Sequence, residues 1–407
     1  MITLVPPTLQ TWSNPAVYWP ALQEATADRE PPFGVISLPA LSHNAFDMLA
    51  RGGGKPIRVA TKSVRVRGVL DAVLALPGYA GALAYTLPEA LWLAETIPDV
   101  VVAYPSVDRA AIRTLASDPQ LASRVTLMID SVDHLDLIDQ VVPPGQRESI
   151  RVAIELDMAW HGRIVGRIGV FRSPVRTADD ARALAEAVVS RPGFSLVGMM
   201  GYEAQIAGVG DRGTSARSAV IRRMQQNSVP ELTQRRTAAV AAVREIADLE
   251  FVNGGGTGSL ESSSADPSVT ETAAGSGLFG PHLFDGYRHF SPAPAAAFAL
   301  SVVRKPRPDI VTLLGGGWMA SGPAGADRAP KVVWPEGLST VAREGAGEVQ
   351  TPLTGPAAAS MRPGDRVWLR HTKAGEISEH LDSFAVVDDG AIVADLPTYR
   401  GEGKVFL

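Results

Sequence analysis

Cysteine is absent from the 407 residues, which excludes disulfides and every zinc site built on thiolates. Long apolar runs are absent too. No stretch approaches the roughly 18 residues that a membrane-spanning helix requires, and Ala295–Val303 is too short. Nor is there an excess of charge of one sign. The 38 Lys and Arg against 43 Asp and Glu give a net charge of -5, without the basic face that a nucleic-acid partner demands. The opening residues, MITLVPPTLQTWSNP, lack a basic segment followed by an apolar one, so no secretory leader is expected and a cytoplasmic location is. What remains is a chain with 45% hydrophobic residues, enough for a sizeable core and long enough for two or three domains.

From about residue 55 a rhythm sets in. Short β-branched runs at 57–63, 81–86, 100–105, 124–130, 151–157, 196–202, 250–255 and 270–277 alternate with Ala- and Leu-rich helical stretches. Near-continuous apolar strands are what a parallel sheet buried on both faces needs. Eight such units predict an α/β fold with a closed (β/α)₈ barrel, with an open doubly wound sheet as the alternative. One strand and one helix (FGVISLPALSHNAFDMLARGG) precede the eight. After about residue 290 short strands at 301–305, 309–314, 331–333 and 366–371 are separated by Gly/Pro turns. The expected division is an N-terminal segment over 1–30 that packs with the C-terminal domain, a barrel over 31–290, and a mostly β domain over 291–407. Residues 213–229 read as a polar, helix-compatible insertion.

Lys62 stands at the end of the first barrel strand. Barrel active sites lie at the C-terminal ends of the strands, and an amine among apolar walls is the better nucleophile for losing its charge. Glycine-rich loops follow the seventh strand (GGGTGS, 254–259) and the eighth (GSG, 275–277). There backbone N–H groups and the hydroxyls of Thr257, Ser259 and Ser276 suit a phosphate. A lysine on strand one and two such loops together describe a phosphorylated aldehyde held at both ends.

Several segments in this order resemble the fold-type III pyridoxal-5′-phosphate (PLP) enzymes, built on the alanine racemase N-terminal barrel. Within them the chain is most similar to the D-threonine aldolase and D-serine dehydratase group and to actinobacterial amino acid deaminase/aldolases. The carriers are KPIRVATKSVR, IELD with GRIGVFRSP, GMMGYEAQIAGVGD, FVNGGGTGS, GSGLFGPHLFDGY and RHTKAGE. The resemblance implies that Lys62 holds PLP as a Schiff base. Arg167, with Arg172 as a rival, would contact the cofactor ring, and Tyr202 and Tyr287 would face it. Gly255, Gly256, Thr257, Gly275 and Ser276 would bind its phosphate. His371 matches a metal-ligand histidine, but that group carries His-x-Cys or His-x-Asp, and here Lys373 occupies the second position. An ammonium cannot ligate a divalent cation. The reading is that Lys373 replaces the metal with a fixed positive charge near the substrate β-hydroxyl.

The resemblance further implies a β-hydroxy-D-amino acid as substrate. Retro-aldol cleavage to glycine and an aldehyde, with His371 as base, is placed first. Dehydration with loss of ammonia is the alternative, and racemisation would need a second base opposite Lys62. A non-catalytic PLP carrier is the reading from another class. A homodimer is expected. His161 and Glu348 are lesser candidates.

Overall fold

The computed structural model describes residues 2–162, 166–323 and 325–407. Eight parallel strands form the barrel: β1 (Ile57–Ala60), β2 (Tyr79–Ala84), β3 (Val100–Val102), β4 (Val125–Ile129), β5 (Ile150–Glu155), β6 (Phe194–Gly201), β7 (Phe251–Gly254) and β8 (Glu271–Ala274). Each pairs with the next in the chain, and β8 closes on β1 through Thr272↔Ile57 and Ala274↔Val59. Almost every strand residue is buried, because a barrel strand has side chains inside and helices outside. Val101, Met128, Ala153, Val197, Met200 and Phe251 pack together as one core cluster. The helices between strands begin where the sequence offers an acceptor for free N–H groups. Thr86 caps Leu87–Ala94, Asp108 caps Arg109–Ser117, and Thr177 with Asp180 forms a capping box on Ala178–Val189.

The chain divides into two compact units, and the barrel strands all belong to the one made of Met48–Thr61, Pro77–Gly275 and Phe406–Leu407. The other comprises Met1–Asp47, Lys62–Leu76 and Ser276–Val405. It is organised on a nine-stranded sheet. Its spine is the strand Ala296–Arg307, which pairs antiparallel with Ile310–Leu314, Arg366–Arg370 and Phe33–Ser37. The last of these also runs parallel to Ser383–Asp388, which in turn pairs with Ala391–Pro397. Tyr18, Trp19 and Leu22 of the first helix, Pro15–Ala25, bury their side chains against Ala297, Ala299 and Trp368 of this sheet.

Residues 213–229 do not form a separate element. They run into the following stretch as one helix, Ala216–Arg244, which continues through Pro230. Proline removes the bond to the carbonyl four residues back, but Gln226 and Pro230 are both exposed, so the break falls on the solvent side. Among the described residues no helix is long and apolar enough to cross a membrane.

Candidate active site

In the barrel unit, residues just beyond the C-terminal ends of the strands form a contiguous row. The Arg172 guanidinium lies 5.2 Å from the centre of the Tyr104 ring and 5.0 Å from that of Tyr202, a cation held between two aromatic faces. Its counter-ion is Glu155, the last residue of β5, at 3.7 Å. Burial pushes the Glu155 carboxyl up to about 7; Arg172 opposes the shift and Asp130 adds to it. Burial likewise pushes the Tyr202 phenol up to about 12. Tyr202 then meets the glycine loop, since a Cβ on Gly256 would lie 3.2 Å from its ring. Tyr202, Arg172 and Gly256 are thus brought together. Arg167 stands in a different cluster, bonded to Asp157 at 2.9 and 3.0 Å beside Arg176, with its guanidinium over the exposed Phe171.

The loop after β7 turns on Gly255, whose φ of +86° disfavours any side chain. Its N–H donates to Glu203 Oε2 at 2.9 Å, and the Gly256 N–H donates to Ser259 Oγ at 3.1 Å. What these two glycines supply is therefore conformation and close approach; their N–H groups are taken up inside the protein. Thr257 opens the 3-10 turn Thr257–Ser259, and its carbonyl accepts from Arg51 at 2.6 Å. After β8, Gly275 presses on β1: a Cβ there would sit 2.2 Å from the Ala60 carbonyl oxygen. Only glycine lets these two strand ends approach so closely. Lys62 follows Ala60 by two residues.

Lys62 lies in the 3-10 turn Thr61–Ser63 and belongs to the sheet unit. Its carbonyl accepts from Arg65 Nε at 3.0 Å, and Arg65 is ion-paired with Glu379. Gly375 packs on the same carbonyl, where a Cβ would come within 2.3 Å. Ser378 Oγ donates to the Val64 carbonyl at 2.8 Å. The segment 371–379 is therefore seated directly on the lysine turn. Within it Glu376 accepts the N–H groups of Thr372, Lys373 and Ala374 at 2.7–2.9 Å. Burial raises its carboxyl, but His371 and the backbone N–H groups outweigh this and hold it below the usual range.

His371 is 1% exposed, and neither ring nitrogen has a hydrogen-bond partner of normal geometry among the described residues. Burial depresses its pKa to about 4, against Glu376 and the nearby Ala296 backbone, which favour protonation. The imidazole is neutral at neutral pH. Lys373 Nζ lies 3.5 Å from the Ser321 carbonyl. Ser276 opens the short helix Ser276–Phe279, and Tyr287 is buried in a ring cluster with Phe284 and Phe290. His161 and Glu348 are exposed.

The donor set at 371–376 does not fit a divalent cation. Lys373 is a cation itself, the Glu376 carboxylate is already saturated by backbone donors, and no three His, Asp or Glu side chains converge among the described residues. The residues do fit a phosphorylated aldehyde. An amine follows β1, glycine loops follow β7 and β8 beside it in the strand order, and a guanidinium with two phenol rings lies beyond β3, β5 and β6. Glu155 and Glu203 lie inside the segments IELD and GMMGYEAQIAGVGD but take no role from the sequence, and Arg236 and Asp266 lie in no such segment. The one sequence signal is Arg236, a charge in the apolar stripe Leu232, Ala239, Val240, Val243.

Comparison with known proteins points the same way. The model of the alanine racemase N-terminal domain matches residues 36–282. The D-threonine aldolase of an Arthrobacter species is 27% identical over 248 residues, 59% of this chain. The match spans 59% of that relative's own length. Among solved structures, D-threonine aldolase from Filomicrobium marinum aligns with a TM-score of 0.75 at 19% identity, covering 93% of this chain and 97% of that one. D-threo-3-hydroxyaspartate dehydratase from Delftia sp. HT23 aligns with a TM-score of 0.69 at 19% identity, covering 91% and 97%. At such identities the structural likeness establishes the fold.

Proposed function

The chain belongs to the alanine racemase N-terminal domain family, and we propose that it is a PLP-dependent lyase cleaving β-hydroxy-D-amino acids to glycine and an aldehyde. The observation that carries this reading is Lys62, two residues beyond β1, in a barrel whose neighbouring strands β7 and β8 end in glycine loops. The Arthrobacter relative is a D-threonine aldolase, which supports the choice of cleavage. PLP, when bound, supplies an electron sink for the negative charge left at Cα.

The chain's own residues do the rest. Lys62 Nζ would hold the cofactor and, when free, would move a proton. Arg172, Tyr202 and Tyr287 orient the ring, with Arg167 as the other candidate for ring contact. Gly255, Gly256, Thr257, Gly275 and Ser276 shape the phosphate end. His371, neutral and without a side-chain hydrogen-bond partner of normal geometry among the described residues, takes the proton of the β-hydroxyl. Lys373 occupies the sequence position of the second metal ligand in the D-threonine aldolase and D-serine dehydratase group, and its ammonium would steady the oxygen as it becomes negative. Removal of the β-hydroxyl as water, giving a keto acid and ammonia, is the competing outcome. The D-threo-3-hydroxyaspartate dehydratase relative makes it worth testing.

The test is the visible spectrum of the purified protein with added PLP, followed by product analysis with D-threonine. A visible band absent from Lys62→Ala, and glycine with acetaldehyde as products, is the expected result. A protein that stays colourless overturns the cofactor reading. Ammonia and a keto acid instead of glycine overturn the cleavage. Sedimentation as a dimer at micromolar concentration is expected, and a monomer would remove that part.

A further inference from the structure

The buried face of the helix Ala216–Arg244 is apolar apart from Ser228 and one charge, Arg236, which is 3% exposed. Its guanidinium stands between two carboxylates that are equally hidden. One is Asp266, at 2.8 Å; the other is Glu203, to which it is also hydrogen-bonded. Glu203 uses its second oxygen to accept the Gly255 N–H at 2.9 Å. Asp266 accepts from the Ser268 N–H at 2.9 Å and hydroxyl at 2.6 Å. Beside this, Ser263 Oγ reaches Ser259 Oγ at 3.2 Å, and Ser259 Oγ holds the Gly256 N–H. One connected chain of charges and hydroxyls therefore ties the residue after Tyr202, the middle of a helix and the turn before β8 to both glycines of the loop.

Three buried ions are a poor way to gain stability. Their desolvation offsets their attraction, and an apolar cluster of the same volume holds a fold at least as well. What the ions add is direction. A carboxylate fixed by a guanidinium on one oxygen leaves the other at a set place, and there it grips the one N–H that follows β7. We propose that Glu203 and Arg236 are positioning residues for the anion-binding loop 255–259, and that they set the protein's preference for a phosphate monoester. The proposal rests on the PLP reading for the identity of that monoester. The two residues touch no phosphate. They hold Gly255 at its positive φ and keep Gly256 against Tyr202, so that the loop presents one shape to the anion.

The experiment compares two aldehydes on the full-length protein stripped of cofactor: PLP, and pyridoxal, which lacks the phosphate. Both are titrated by absorbance into wild type and Glu203→Gln, a change that keeps the shape and removes the charge. The expected result is a PLP affinity about tenfold weaker with the pyridoxal affinity unchanged, as for the loss of one charge-assisted hydrogen bond. Glu203→Asp should recover part of the difference. An unchanged ratio of the two affinities overturns the proposal, whether both stay or both fall. If Glu203→Gln does not fold, Ser259→Ala must lower the same ratio, and failure to do so counts equally against it. A wild type that takes up neither aldehyde sinks the cofactor reading. The proposal is then decided by inorganic phosphate alone, which must stabilise wild type against heat and not stabilise Glu203→Gln.

Discussion

In the barrel unit a buried ion meets a counter-ion: Arg236 stands between Glu203 and Asp266, and Arg58 between Glu271 and Asp99. In the sheet unit His371 is just as buried, yet among the described residues neither of its ring nitrogens has a hydrogen-bond partner of normal geometry, with the Ala296 backbone nearby. An unsatisfied buried polar group costs about 1–3 kcal/mol, so its retention calls for a reason. The difference separates two kinds of work. Paired ions fix backbone, and their charges are already matched without a ligand. An unpaired imidazole is complete only when something else arrives.

The sharpest way to break this comparison is His371→Gln. It should lower turnover by about 10²–10⁴-fold, the usual worth of a proton-transfer group, while leaving PLP uptake as in wild type. Steady-state rates together with a PLP titration decide it, and equal loss in both would make His371 a scaffold residue like the paired ions. Next is Gly275→Ala. Its Cβ would meet the Ala60 carbonyl oxygen at 2.2 Å, so urea denaturation should show a loss of about 3 kcal/mol from overpacking. A midpoint within error of wild type would mean that the strand ends separate freely.

A smaller effect tests Glu155, whose counter-ion Arg172 is farther away than the others. Its folded carboxyl lies at about 7, above the ordinary value of 4.5. The unfolded chain therefore loses that proton first. The stability this contributes is complete below pH 4.5, lost as the pH rises to about 7, and absent above. The change is on the order of 3 kcal/mol. Denaturation midpoints across that window should fall in wild type and fall less in Glu155→Gln. Parallel curves would show that the carboxyl is paired as fully as Glu203. The smallest effect is none: exhaustive chelation should leave turnover unchanged, because Lys373 and the saturated Glu376 give a divalent cation no donor set. Activity that requires Mn²⁺ or Zn²⁺ would refute this.

The barrel strands were legible in the sequence because most are short apolar runs, although Glu271–Ala274 carries Glu271 and Thr272 and Tyr79–Ala84 is only partly buried. The glycine loops and Lys62 were legible because strand ends are marked by composition. The sheet unit was less so. Gln350–Thr354 contains a proline, and Ala391–Pro397 has only four apolar residues before Asp395 and alternates exposed and half-buried positions. Around the site, the row Tyr104–Arg172–Glu155 and the chain Glu203–Arg236–Asp266 join residues far apart in sequence. Only the closure of the barrel brings them together, and no local period announces them. Arg172 and Arg167 are five positions apart, but Arg167 lies in the short strand Gly166–Ile168 and is bonded to Asp157, while Arg172 follows that strand and meets Tyr202.

The strand Phe33–Ser37 has a consequence in time. Both of its neighbours, Ala296–Arg307 and Ser383–Asp388, are made late. A ribosome adding about 5–20 residues per second delivers the first of them roughly 13–50 s after Ser37. For that interval a five-residue apolar strand has two open edges and nothing of its own chain to close them. Growing chains halted before residue 296 should therefore be the ones that chaperones hold and that aggregate when released, while the finished protein should not.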